Sequence, residues 1–319
     1  MMEKIRAFLS KEAVLVVAAL AAVTSCALVP FDEGYASYVD WRTLALLFCL
    51  MAVVTGLRFM GVMRLLGSWA VSRASSVRAL AFALVALTFV SSMVVTNDVA
   101  LITFVPLALV VLAEAGESRF TAFVVVLMTV SANLGSMLLP VGNPQNLFLY
   151  RVSGMDFFQF VLIMVPVVAL SAVMLVAAVL IVFRGNAEGL SYRASCKALP
   201  KPTGRQGFMF VSYLLLFVLS VMAVVGFIDA FAVAILVAFV LLFLDRRSLA
   251  KVDYGLLLTF VALFVFVGNM ARVPAVHEAL LALVGIAPFC AAVGSSQVIS
   301  NVPAAVLLSG FTNDWTALI

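Results

Sequence analysis

Apolar and polar positions alternate along this chain on the scale of whole helices rather than of single turns. Apolar runs at about 12–30, 41–61, 157–183, 207–225, 230–244 and 254–271 are bounded by short polar or charged segments, and about 20 such residues in a helix cross a bilayer core of ~30 Å. Three longer runs do not fit one crossing. Residues 79–112 stay apolar for 34 positions, about 51 Å at ~1.5 Å per residue, with Thr96-Asn97-Asp98 near the middle. The run 119–150 is interrupted by Ser131–Ser136 and by Pro140–Asn146, and the run 279–311 contains Ser300-Asn301. Polar, helix-breaking backbone at membrane depth persists only where protein or a water-filled cavity surrounds it. The pattern therefore predicts a re-entrant helical hairpin over about 79–113, a broken span over 119–150 and a second hairpin over about 279–311. Residues 62–78 mix Arg64, Arg73 and Arg78 with Leu65, Leu66, Trp69 and Val71, which suits a helix lying in the interface.

The two polar interruptions echo each other. Set 204 residues apart, 91–101 and 295–305 match at Ser91/Ser295, Ser92/Ser296, Val94/Val298, Asn97/Asn301 and Ala100/Ala304. Val39-Asp40-Trp41 and Val252-Asp253-Tyr254, which open two of the spans, repeat at an offset of 213. Ungapped self-similarity of this kind signals an internal repeat. With the first hairpin counted as no net crossing, the unit starting near 230 begins on the opposite face from the unit starting near 12. That is an inverted-topology repeat, whose sites lie at mid-membrane on discontinuous helices. The expected organisation is 1–183 as the first repeat, 184–206 as a cytoplasmic linker and 207–319 as the second repeat. Counterparts of 119–150 and 157–183 would fall at 323–354 and beyond, past Ile319, so the C-terminal part of the second repeat is expected to be missing, by about 50 to 70 residues on the repeat length.

Charge sets the orientation. With a cytoplasmic N-terminus only Arg42, Arg151 and Arg272 of the 19 Lys and Arg residues fall outside, as the positive-inside rule requires. The expected location is the plasma (inner) membrane. With 66% apolar and 11% charged residues and a mean hydropathy of +1.24, the chain is an all-α polytopic membrane protein, far from the ~25% charged residues of globular domains. The formal charge of +4 comes from basic residues spread over loops, which determine topology and do not form a nucleic-acid surface. Four cysteines without a C-x-x-C pair and a lone His277 beside Glu278 indicate neither a disulfide framework nor a metal site. No nucleophile–base constellation is visible, so no enzyme is expected, nor any cofactor beyond a bound ion.

Of the carboxylates only Asp98 lies inside a long apolar run. An intramembrane ionisable group marks an ion or proton pathway by default. Ser92, Thr96, Asn97 and Asp98 are the candidate coupling-ion group, and Thr96, Asn97 and Asp98 offer the oxygen donors a sodium ion takes. An anion needs hydrogen-bond donors instead, which helix N-termini supply. Pro144 suits the first position of a half-helix, so Asn133, Gly142, Asn143, Pro144, Gln145 and Asn146, with Ser300 and Asn301 across from them, are the candidate substrate group. Gly268 and Asn269, at the end of the preceding span, are expected to line the same space.

The combination of Asn133-Leu134-Gly135-Ser136, Pro140-Val141-Gly142-Asn143-Pro144-Gln145-Asn146 and Ser300-Asn301-Val302-Pro303 resembles the ion transporter superfamily. That group includes divalent anion/sodium symporters, citrate–metal transporters, arsenite/antimonite permeases and D-type sodium/proton antiporters, and the nearest likeness is to small bacterial citrate-transporter-like permeases. The resemblance implies a scaffold part and a moving transport part, alternating access, and a homodimer as the candidate assembly. In the symporter branch both tips read Ser-Asn-Thr and bind sodium and carboxylate. Here they read Thr96-Asn97-Asp98 and Ser300-Asn301-Val302, which keeps the Asn and replaces the last Thr. The expected function is secondary transport of a small anionic substrate, a carboxylate or inorganic oxyanion, coupled to sodium or protons. The alternatives are a sodium/proton antiporter and an arsenite-type permease.

Overall fold

The computed structural model describes residues 12–184, 204–312 and 314–319. The basic N-terminal cluster up to Lys11, nearly all of the 184–206 linker, and Cys196 lie outside them. Among the described residues the chain is helical throughout and contains no strand. Its elements are α1 (Ala13–Cys26), α2 (Tyr35–Tyr38), α3 (Trp41–Phe59), α4 (Val62–Ser72), α5 (Val77–Val95), α6 (Asn97–Glu114), α7 (Thr121–Ser136), α8 (Pro144–Ser153) and α9 (Phe157–Val182). After the linker follow α10 (Gly204–Val225), α11 (Ala230–Leu244), α12 (Arg246–Ala250), α13 (Tyr254–Ala271), α14 (Pro274–Ile286), α15 (Pro288–Ile299), α16 (Asn301–Ser309) and α17 (Trp315–Leu318). Seven of them, α3, α5, α6, α7 with its preceding 3-10 turn, α9, α10 and α13, are long and apolar enough to cross a membrane, while α1 and α11 are shorter apolar helices.

Helix starts are written by aspartates. Asp40 accepts from the backbone N–H groups of Arg42 and Thr43, Asp156 from Phe158, Asp229 from Ala232, Asp245 from Arg247, Asp253 from Leu256 and Asp314 from Ala317. A carboxylate there satisfies donors that the helix leaves unpaired and faces the positive end of its dipole. The two Val-Asp-aromatic openings also share backbone geometry, with φ/ψ of −78/84 at Asp40 and −77/80 at Asp253.

The long run 77–114 breaks where expected, but at one residue. α5 and α6 meet at Thr96 and pack against each other. Each arm, of 19 and 18 residues, is itself long enough to cross. A pair of antiparallel arms returns the chain to the side it left at whatever depth its tip lies, so the crossing parity is unaffected. The run 279–311 differs from expectation, because it contains a second break. α14 and α15 meet at Ala287 with a bend of 116°. Pro288 has no N–H to continue the helix and excludes helical backbone at the preceding residue, Ala287, whose φ/ψ are −152/75. The tip at Ser300 is then the junction of α15 and α16.

α5 and α7 make the most extensive helix contact, followed by α1 and α13. The first is close because Gly135 carries no side chain: a Cβ there would lie 2.1 Å from the Phe89 carbonyl oxygen and 2.6 Å from Ser92 Oγ. Small residues bring membrane helices together in this way. The second pair runs parallel, with Glu12 against Gly255 at one end and Ser25 bonded to Asn269 at the other. Tyr213 of α10 is fully buried and its hydroxyl lies 2.8 Å from both Asp245 Oδ2 and Ser248 Oγ. Burial alone would raise the Asp245 carboxyl, but hydrogen bonds from Ser248 and Tyr213 hold it below the usual carboxylate range.

Candidate functional site

The site is built around the gap between α7 and α8. α7 ends at Ser136, a 3-10 turn covers Pro140–Gly142, and α8 restarts at Pro144. Asn143 caps α8, its Oδ1 accepting from the Asn146 N–H at 2.8 Å, and Pro144 occupies the first helical position, where a missing N–H costs nothing. The freed carbonyls at the end of α7 are met by carboxamides. Asn146 Nδ2 donates to the Met137 oxygen at 2.9 Å, and Asn143 Nδ2 reaches the Ser136 oxygen at 3.3 Å. Both amides are almost fully buried, at 3% and 4% exposure. Gly142 permits the close return of the chain, since a Cβ would sit 2.1 Å from the Ser136 carbonyl oxygen.

This break lines one side of a cavity of about 300 Å³. Asn133, Ser136, Asn143, Gln145 and Asn146 form that side, and Ser296 and Asn301 of the second tip lie across from them among Phe289, Val293 and Leu308. Ala317, Leu318 and Ile319 add a third wall. Among the described residues that line it none is charged.

Of the candidate substrate residues, Asn133, Asn143, Gln145, Asn146 and Asn301 share this cavity. Gly142 and Pro144 shape the backbone beneath it without lining it, and Ser300 is the turn that presents Asn301. The coupling-ion candidates Ser92, Thr96, Asn97 and Asp98 are not among its lining residues. Asn97 Nδ2 donates to Asn133 Oδ1 at 3.0 Å, which joins the first tip to the cavity wall. Ser92 is fully buried against Gly135 and its hydroxyl donates to the Phe89 carbonyl. Asp98 lies in the first turn of α6, exposed on the chain surface. Unlike the capping aspartates it has no hydrogen bond or ion pair among the described residues. Gly268 and Asn269 do not share the space. The ring of Tyr38 covers Gly268, and Asn269 is fully buried with Nδ2 donating to Ser25 Oγ at 2.9 Å.

The two tips share one unusual backbone. Thr96 has φ/ψ of 74/148 and Ser300 of 73/162, and they are the non-glycine residues with positive φ among those described. This region is essentially reserved for glycine and costs of order 1–3 kcal/mol for other residues. Strain of this kind persists only where surrounding structure imposes it.

Sequence reasoning missed Phe289, Leu149 and the segment 317–319 as wall residues. Apolar side chains in an apolar chain carry no signal of their own, and their proximity arises only from the 116° bend and the packing of α16 on α8.

The amide-lined break, the matched tips and the helical bundle can be set beside known proteins. The family model described as citrate transporter matches residues 1–312. The chain belongs to the citrate transporter family. The inner membrane protein YbiR of Escherichia coli is 31% identical over 291 residues, which cover 89% of this chain and 75% of that protein. An uncharacterised transporter of Methanocaldococcus jannaschii is 28% identical over 284 residues, 87% of this chain and 74% of the relative. The silicon efflux transporter LSI3 of rice is 35% identical over 135 residues, 42% of this chain and 27% of its own length. The family member described here is thus a multi-pass membrane transporter, and its family points to a permease rather than an enzyme.

Proposed function

We propose that this transporter moves a small anion, a carboxylate or inorganic oxyanion, coupled to sodium or protons by alternating access. The observation that carries the reading is the convergence of both tips on the α7–α8 break: Asn301 faces it across the cavity and Asn97 bonds to Asn133 in its wall. Unpaired donors at helix N-termini, together with the Gln145 and Asn301 amides, stabilise negative charge without a cationic side chain. Asp98, with Thr96 and Asn97, holds the coupling ion, sodium being the candidate metal. In this reading 1–183 and 207–319 are inverted repeats in the plasma membrane with a cytoplasmic N-terminus, two copies form a dimer, and the parallel run of α1 and α13 supports the crossing count. Uptake into proteoliposomes of citrate, arsenite and silicic acid under imposed sodium and pH gradients tests it. Accumulation of citrate or another anion driven by one gradient is expected, and no anion movement under either would sink the anion reading.

One observation favours a second reading, the arsenite-type permease. The described residues of the cavity wall offer donors and acceptors but no positive charge, which suits a neutral hydroxylated acid as substrate. The rice relative's name, a silicon transporter, is in line with it. Uptake that tracks the undissociated acid and ignores membrane potential would select this reading over the first.

A further inference from the structure

The hydrogen bond between Asn97 and Asn133 has a further consequence for coupling. Asn133 Nδ2 is committed to the Thr129 carbonyl one turn earlier, at 2.9 Å. That fixes the orientation of the amide and leaves Oδ1 as the acceptor for Asn97 Nδ2 at 3.0 Å. A carboxamide oxygen has a second lone pair, and Asn133 lines the cavity whereas Asn97 does not. A donor in the cavity that reaches Asn133 Oδ1 would therefore meet an oxygen already bonded to the first tip. Asn97 begins α6 directly after the strained Thr96, and Asp98 is the next residue, so a cation or proton that orders Asp98 acts on the same turn that places Asn97. Gly135 sets α7, which carries Asn133, in contact with the Phe89 carbonyl and Ser92 of α5, the arm that leads through Thr96 into Asn97.

We infer that Asn133 and Asn97 form an amide relay through which the substrate cavity and the first tip sense each other's occupancy. Asn133 is then a positioning residue for coupling as well as part of the wall. The inference rests on the proposed ion-coupled transport and adds the path by which the two sites communicate. An energetic coupling between sites is reciprocal: the factor by which one ligand changes the other's affinity is the same in both directions.

The test uses the purified intact protein, with thermal unfolding as the binding readout. Arsenite, silicic acid and citrate are titrated at high and low sodium and at two pH values, and sodium is titrated with and without each solute. In the wild type one ion should change the affinity of at least one solute by about tenfold, within the usual range of such couplings. Asn133→Leu removes the acceptor, and Asn97→Ala removes the donor without touching the cavity wall. Both residues belong to the ligand groups themselves, so single-ligand affinities shift in both variants; the quantity read is the factor by which one ligand changes the other's affinity, and it should fall to within about twofold of unity. Either variant keeping the wild-type factor overturns the relay and leaves the transport reading standing. A wild type that binds none of the solutes under any condition overturns the transport reading, and the relay falls with it.

Discussion

Thr96 and Ser300 hold a conformation that their side chains oppose, and they hold it at matching places in the chain. Replacing either with glycine removes a cost of order 1–3 kcal/mol, partly offset by the larger entropy that glycine loses on folding, about 0.5–1 kcal/mol. Thr96→Gly and Ser300→Gly are each expected to raise stability by about 1 kcal/mol in equilibrium unfolding, with transport lowered because the tip is no longer fixed; a loss of stability would show that the strain is not real. Asp98 makes the complementary case. Six other aspartates cap helices, and replacing a cap typically costs ~1 kcal/mol. Asp98 caps nothing, so Asp98→Asn should leave thermal stability nearly unchanged while abolishing the response of uptake to the driving ion gradient. Retained gradient response in that variant would remove Asp98 from the coupling group.

At the scale of elements, two contacts decide how the helices sit. Gly135→Ala would drive a methyl into the Phe89 carbonyl, and overpacking of this kind costs about 1–3 kcal/mol; a lowered unfolding temperature is expected, and a neutral result would show that α7 can move away from α5. At the other side, Arg272 Nη2 lies 2.7 Å from Asp32 Oδ2 and Nη1 donates to the Tyr38 hydroxyl at 2.9 Å, tying the loop after α1 to the end of α13. The hydrogen bond from Arg272 holds the Asp32 carboxyl below its usual range. Its contribution is therefore present above the ordinary carboxylate value of about 3.9 and is lost as pH falls through the depressed folded value. The protection of residues 32–38 in hydrogen exchange, taken relative to the intrinsic rate at each pH, should fall in acid in the wild type, whereas in Arg272→Gln it should be low already at neutral pH. These elements also mark what could be read in advance. The breaks at 96, 137–143 and 300 were legible because prolines, glycines and polar groups stand out in an apolar run. The bend at Ala287 was hidden because Pro288 follows a run that reads as one hairpin arm, and Asn269 looked like a site residue because its partner, Ser25, is 244 positions away. Ser92 likewise reads as a polar tip residue until Gly135 is seen to cover it.

At the scale of the whole molecule, the inverted arrangement makes a demand that neither tip makes alone. If α1 and α13 cross in the same sense, an even number of crossings separates their starts and an odd number separates the two hairpins, so the hairpins open on opposite faces: the first must leave and return on the cytoplasmic side, the second on the exterior side. Ser118, just after α6, and Thr312, just after α16, report those two faces. With the four native cysteines replaced, Ser118→Cys and Thr312→Cys can each be exposed to a membrane-impermeant thiol reagent in intact cells and in inverted vesicles. Thr312→Cys should react from outside and Ser118→Cys only from inside. Labelling of both from one side would abolish the inverted repeat, and with it the reason for the two tips to approach the α7–α8 break from opposite directions. The cavity would then open to one face by default, and alternating access would need a different moving part.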